Sequence, residues 1–268
     1  MDARAGRAPL LSVLMAAYNA EETLPESVAS ALGQDEERLE LIVIDDGSRQ
    51  PVTDVLGDVD DPRLRVGRHA RNRGLSAARN TGLRLARAPL VAQLDADDLW
   101  EPDYASTVVP RFEDPRVGLV YTNARLIGHP DSQELYIQDA SVHPMDRFPK
   151  FAEANPVPSL TATMRADAVR RVAGWVTWLR QAMDYHLYAK LIMDGWRFDY
   201  VDRPLARYRW PQPTRGMSWN RRETELNELK MWLLFVARHP RVPGPRRQVR
   251  LRLRRELERI SAKVDQLP

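Results

Sequence analysis

The chain has 268 residues, 43% hydrophobic and 29% charged, as in a soluble globular protein with one large or two small domains. Its net charge of +3 is too small to imply nucleic-acid binding by itself, and the lack of cysteine excludes disulfides, thiolate nucleophiles and thiolate metal sites. No apolar run approaches the ~18–20 residues needed to cross a bilayer, and residues 1–7 carry no secretory stretch, so the expected location is the cytoplasm.

In chain order, residues 10–17 read as a buried strand, followed by Asn19 as a helix cap with Glu22 completing a capping box. Leu24, Val28 and Leu32 continue at helical spacing. A second apolar strand, residues 39–44, ends in Asp45-Asp46-Gly47-Ser48; a third covers residues 64–66, and a helix runs through Leu75, Ala78, Leu85 and Ala86. A fourth strand, residues 90–94, delivers Asp95-Ala96-Asp97-Asp98. Continuous apolar strands alternating with helices predict a mostly parallel, Rossmann-like sheet flanked by helices, with ligands at the carboxyl ends of its strands.

After about residue 114 the pattern changes. Residues 117–123 form another strand, and residues 128–159 read as a long irregular connection of the kind that binds ligands. Helices are expected over residues 166–172 and 181–194, then two short strands, 197–201 and 205–209, broken by Pro204. Residues 223–238 and 246–264 read as a C-terminal helical extension.

Three carboxylates within four positions at a strand end admit two readings. They converge on a hard cation such as Mg²⁺ or Mn²⁺, whose remaining positions are left for phosphate oxygens; or Asp97 or Asp98 caps the helix signalled by Trp100-Glu101-Pro102. Two more strands end in polar groups, Tyr18-Asn19 and Asp45-Asp46, which favours a shared site along one rim. Tyr18 also reads as a core aromatic, Asp46-Gly47 as an ordinary turn, and Arg79 as a solvated helix residue.

The segments 12–19, 43–48, Asn72-Arg73-Gly74 through Arg79-Asn80-Thr81-Gly82, and 94–98 occur in an order and spacing that resembles the family 2 glycosyltransferases. The resemblance is close over residues 9–125 and looser to about residue 210. It implies a GT-A fold, a nucleotide-sugar donor (a UDP-sugar foremost) and a divalent metal. The donor would meet Ala17, Tyr18, Asn19, Asp45, Asp46, Asn72, Gly74, Arg79, Asp95, Ala96 and Asp97, and the metal Asp97 and Asp98. Residues 1–215 would be the transferase domain, with a donor half over about 9–125 and an acceptor half over 126–215; residues 216–268 would be the extension.

Departure of the diphosphate builds negative charge on the leaving oxygen, which a divalent cation stabilises. Gly174-Trp175 and Gln181-Ala182-Met183-Asp184 resemble the block that carries the general base in this family, so Asp184 is the expected base of an inverting transfer. Met183 stands where relatives often carry glutamate, and a single glycine precedes Trp175. Asp184 also suits the first turn of a helix electrostatically, and His186 is a rival base by chemistry. In Arg207-Tyr208-Arg209-Trp210, Arg209 is a candidate for diphosphate or acceptor, and Trp210 or Trp219 for stacking on a sugar; a basic surface strand with packed aromatics is the other reading.

Glycan, lipid-linked or small-molecule acceptors are expected, and no nucleic acid. The lack of a membrane span argues against a processive synthase. A non-catalytic nucleotide-sugar-binding protein, or a nucleotidyltransferase on a related scaffold, is the alternative function, although the basic Gly-rich loop usual in nucleotidyltransferases is missing after the first strand. The arginines between 246 and 259 suggest either peripheral contact with the inner face of the membrane, or packing of Leu251, Leu253, Leu257 and Ile260 on the domain or on a second copy.

Overall fold

The computed structural model describes residues 8–57, 59–130, 134–155, 157–210 and 221–264. Trp219 and the 215/216 boundary lie outside them, as does the side chain of Ile260. The strands are β1 (Leu11–Ala17), β2 (Leu39–Asp45), β3 (Leu64–Arg68), β4 (Leu90–Gln93), β5 (Leu99–Trp100), β6 (Val117–Ile127), β7 (Thr163–Arg165) and β8 (Arg197–Arg209). The helices are α1 (Leu24–Leu32), α2 (Val52–Leu56), α3 (Leu75–Leu85), α4 (Tyr104–Val108), α5 (Ala166–Arg171), α6 (Met183–Met193), α7 (Arg221–Arg238) and α8 (Pro245–Val264).

All eight strands join one sheet in the order β3-β2-β1-β4-β7-β6-β8-β5. β3, β2, β1 and β4 pair in parallel, whereas β7 runs antiparallel between β4 and β6, β6 pairs in parallel with β8, and β5 is antiparallel to β8. The expected parallel half is therefore continued by a mixed half. Because β2, β1 and β4 are neighbours, their polar carboxyl ends lie side by side on one rim.

Strand periodicity divides the core between the two faces of the sheet. Leu14, Ile42 and Ile44 pack on one side with Ala78 and Leu83 of α3, Val169 of α5 and Leu187 of α6. Leu11, Val13, Met15, Leu41 and Val43 pack on the other with Leu24 and Val28 of α1 and Tyr104 of α4. β2 is buried along its whole length, which accounts for its unbroken apolar sequence.

Two local expectations are corrected. Asn19 does not cap α1, whose preceding residue is Thr23. Asn19 adopts φ +50°, and its side-chain oxygen accepts from the Arg49 amide at 3.0 Å, tying the end of β1 to the loop after β2. Pro204 does not break the last strand either: it sits opposite Asn123 where the β6–β8 register shifts, so a bulge absorbs the missing N–H donor within one long strand.

α7 packs directly on the first core, with Met231, Trp232 and Phe235 buried and Trp232 edge-on to Tyr185 at 5.2 Å. Trp232→Ala is expected to cost about 3–5 kcal/mol, read as a lower urea midpoint with an unchanged m-value.

Candidate active site

The rim is built from loops that hold one another. Asp46 accepts from the backbone N–H of Arg73 (3.0 Å) and Gly74 (2.7 Å) and contacts His69 Nδ1 at 2.6 Å. Gly47 follows with φ +79°, and a Cβ there would lie 2.6 Å from the Arg71 carbonyl carbon, so glycine is needed for the 71–74 loop to pack against it. Asp45 accepts from the amides of Ser48 (2.8 Å) and Val52 (3.2 Å) and pairs with Arg68. Burial pushes the Asp45 carboxyl up, but these donors outweigh it and hold the pKa below the ordinary aspartate range. Asp45 and Asp46 are thus buried scaffolding for the rim loops, while Tyr18 is 51% exposed on the rim, which excludes the core-aromatic reading. Ala17 is buried at the end of β1, and the exposed Asn72 accepts from the Gly74 amide at 3.1 Å.

The acidic turn after β4 lies beside them. Asp95 is partly buried, Ala96 is buried with its carbonyl accepting from Thr23 Oγ1 at 2.9 Å, and Asp97 opens to solvent on the concave face. Asp98 is buried: its Oδ1 accepts from the Arg209 amide at 2.8 Å, and its Oδ2 has no protein partner. Removal from bulk water, aided by the Asp95 charge, raises Asp97 to about 6. Burial, together with Asp97 and Asp95, pushes Asp98 well above the usual carboxylate range. Like charges gathered on one turn, with a buried orphaned oxygen among them, are the donor set that a cation relieves. Among the described residues no three His, Asp or Glu side chains form a ready-made cage. The set therefore fits a Mg²⁺- or Mn²⁺-type ion held by one or two carboxylates, with ligand phosphates completing the shell.

Arg79 joins this turn to the first turn of α6. It is 2% exposed, so the solvated-helix reading fails. One terminal nitrogen donates to both oxygens of Asp184 (2.8 and 2.9 Å), and the other donates to Asp95 at 2.5 Å. Burial disfavours the guanidinium charge, and Asp184 and Asp95 more than restore it. Asp184 Oδ1 also accepts from Trp175 Nε1 at 2.8 Å and Gln93 Nε2 at 3.1 Å. Oδ2 carries only the Arg79 contact, which leaves it as the atom able to take a proton. Asn80 fixes the Trp175 segment reciprocally, donating to the Trp175 carbonyl at 2.6 Å and accepting from its amide at 2.9 Å.

His186, the other candidate base, is 5% exposed on α6. Burial, reinforced by Lys190 and Arg238, depresses its pKa to about 4, and its ring lies edge-on to Trp178 at 5.7 Å. Arg209 clasps the acidic turn, its Nε donating to the Asp97 carbonyl at 2.8 Å and its NH2 to Glu26 at 3.0 Å, and Trp210 stands edge-on to His129.

Sequence reasoning passed over Gln93, Asn80, His69 and Tyr188 as site residues. Gln93 had a signal: it is the one polar residue in the apolar run 90–94. Tyr188, one turn beyond Asp184 on α6, is fully buried with its hydroxyl unpartnered, and its nearest charges are Asp184, Arg79 and Asp95.

The chain matches the family model described as "Glycosyl transferase family 2" over residues 12–169. The E. coli protein named UDP-Glc:alpha-D-GlcNAc-diphosphoundecaprenol beta-1,3-glucosyltransferase WfaP is 32% identical over 42% of this chain and 45% of its own length. E. coli chondroitin synthase is 31% identical over 69% of this chain and 27% of its own. The chain thus spans less than half the length of these relatives. Among solved structures, the Pyrobaculum calidifontis mannosyltransferase PcManGT in complex with GDP-Man and Mn²⁺ superposes with a TM-score of 0.68 at 22% identity, covering 91% of this chain and 68% of that one. S. aureus TarS in complex with UDP gives 0.65 at 16% identity, covering 83% and 65%. These likenesses carry the expected GT-A fold, and with more than half of its residues inside the family model the chain belongs to glycosyl transferase family 2.

Proposed function

We propose that the chain is an inverting, metal-dependent glycosyltransferase that moves one sugar from a nucleoside-diphosphate sugar, UDP foremost, to an acceptor hydroxyl. The observation that carries the reading is the single guanidinium of Arg79 spanning Asp95 and Asp184. It holds a donor-side acid and a candidate base a guanidinium's width apart, a spacing suited to one sugar carbon between leaving group and nucleophile. In this scheme residues 9–125 serve the donor, residues 126–215 the acceptor, and residues 216–268 are an extension whose α7 packs on the acceptor half.

The rim residues Ala17, Tyr18, Asn19, Asn72 and Gly74 line the nucleoside, shaped by Asp45 and Asp46 beneath them. Asp95 and Ala96 meet the sugar nucleotide, and Asp97 and Asp98 hold the cation. When bound, the metal supplies Lewis-acid stabilisation of the charge that develops on the diphosphate. Asp184 Oδ2 accepts the proton of the incoming hydroxyl, while Trp175, Gln93 and Arg79 fix the carboxylate plane. An acceptor linked to a lipid diphosphate, as in the name of the E. coli relative, fits a cytoplasmic enzyme working at the inner face of the membrane.

Asp184→Asn keeps the shape and all but removes the basicity, so kcat should fall about 10²–10⁴-fold with the UDP dissociation constant unchanged. Full activity in this variant, measured with a responsive acceptor, would eliminate Asp184 as base. Following UDP release with and without acceptor separates transfer from a binding-only protein, and pyrophosphate release instead of UDP would indicate a nucleotidyltransferase.

Asp97 supplies a pH signature. Its value near 6 lies above the ~3.9 of an unfolded aspartate. The protonated form therefore favours the fold, and this contribution is lost as pH rises from about 4 through about 6. Metal-free protein should lose thermal stability across that window. Mn²⁺ with UDP should bind up to tenfold more weakly per pH unit below about 6, because protons compete for the carboxylate. Asp97→Asn should flatten the stability trend and weaken Mn²⁺ binding at pH 7; calorimetry and melting curves check both.

A further inference from the structure

Residues 245–264 hold seven arginines and one lysine against two glutamates, a balance of +6 in a chain whose total is +3, so the remaining residues together sum to −3. The inner side of α8 is accounted for: Gln248 is buried, Arg252 pairs with Glu228, and Arg222–Glu256 (3.2 Å) and Arg259–Glu225 (2.6 Å) tie α8 to α7.

The outer side is not. Arg246, Arg250, Leu253 and Leu257 recur at helical spacing and are all exposed, Leu257 by 65%. Arg247 and Arg254 flank this stripe, Arg247 standing 3.9 Å from Glu153 and Arg254 spending part of its charge on Glu258. Among the described residues Arg246 and Arg250 have no carboxylate partner. α7 adds Leu233 and Leu234, 43% and 44% exposed.

We infer that the outer face of α8 is a docking surface for an anionic lipid bilayer, with α8 lying in the headgroup plane, Leu253 and Leu257 inserted and Arg246, Arg247 and Arg250 on lipid phosphates. Charge decides the occupant. Exposed leucines interleaved with arginines match a helix that lies on an interface, whereas nucleic acid would engage the arginines and leave the leucines in water. A symmetric pairing of two copies through this face would set two helices of charge +6 against each other. No helix of the described residues is long and apolar enough to span a membrane, so the contact is one of surface adsorption.

The test is flotation of the full chain with vesicles of phosphatidylcholine alone and with one-third phosphatidylglycerol. Binding is expected to the anionic vesicles only, and to weaken as salt is raised from about 0.1 to 0.5 M. Arg246→Glu/Arg250→Glu and, separately, Leu253→Ser/Leu257→Ser should each weaken it at least ~10-fold, with melting temperature and circular dichroism unchanged because all four side chains are exposed. Binding that ignores both pairs, no binding to either vesicle, a dimer abolished by the leucine pair, or DNA binding as tight as vesicle binding would each overturn the assignment.

Discussion

One buried guanidinium organises the centre of this molecule. Taking Arg79 out of water costs several kcal/mol unless its charge is fully matched, and removing one partner of such a group is far more damaging than never burying it. The match comes from Asp95, 16 positions away, and Asp184, 105 positions away. The two halves of the sheet therefore close only when the acidic turn after β4 and the first turn of α6 reach the same side chain. The separation of the two carboxylates is set by a rigid planar cation.

The motifs that flank this pair work as reciprocal supports. Asp46 collects the amides that open α3, Gly47 lets the 71–74 backbone lie against it, and Asn80 two turns later grips the Trp175 peptide. Trp175 in turn donates to Asp184. α3 thus links the rim loops, held by Asp46 at its start, to Asp184 through Asn80 and Trp175. Polar groups of this kind are rigid when fully satisfied. Among the buried polar atoms without a hydrogen-bond partner, Asp98 Oδ2 falls on the acidic turn and Gln93 Oε1 and the Tyr188 hydroxyl near the Arg79 pair, while others, such as Trp232 Nε1 in the core, lie elsewhere.

Charge is sorted along the same chain. The acids concentrate where β4 and β5 meet the rim, while arginine dominates α8. Clasps such as Arg209 on the acidic turn neutralise locally, and the outer stripe of α8 keeps its charge. The acidic turn on the rim and the basic outer stripe of α8 thus place the two signs of charge on different elements.

The sequence by itself determined the parallel half of the sheet and the placing of polar residues at the ends of β1, β2 and β4, because these depend on local periodicity and short-range motif spacing. Among the described residues, it also located the four α-helices of the second half, α5 to α8. Only the tertiary structure decided that Asp45 and Asp46 turn inward as scaffolding, that Arg79 is sealed beneath the rim, that Pro204 sits in a bulge, and that Gln93 and Trp175 orient Asp184. The reason is physical: the direction of a polar side chain is chosen by partners remote in sequence, and their approach depends on how strands from distant parts of the chain register in one sheet.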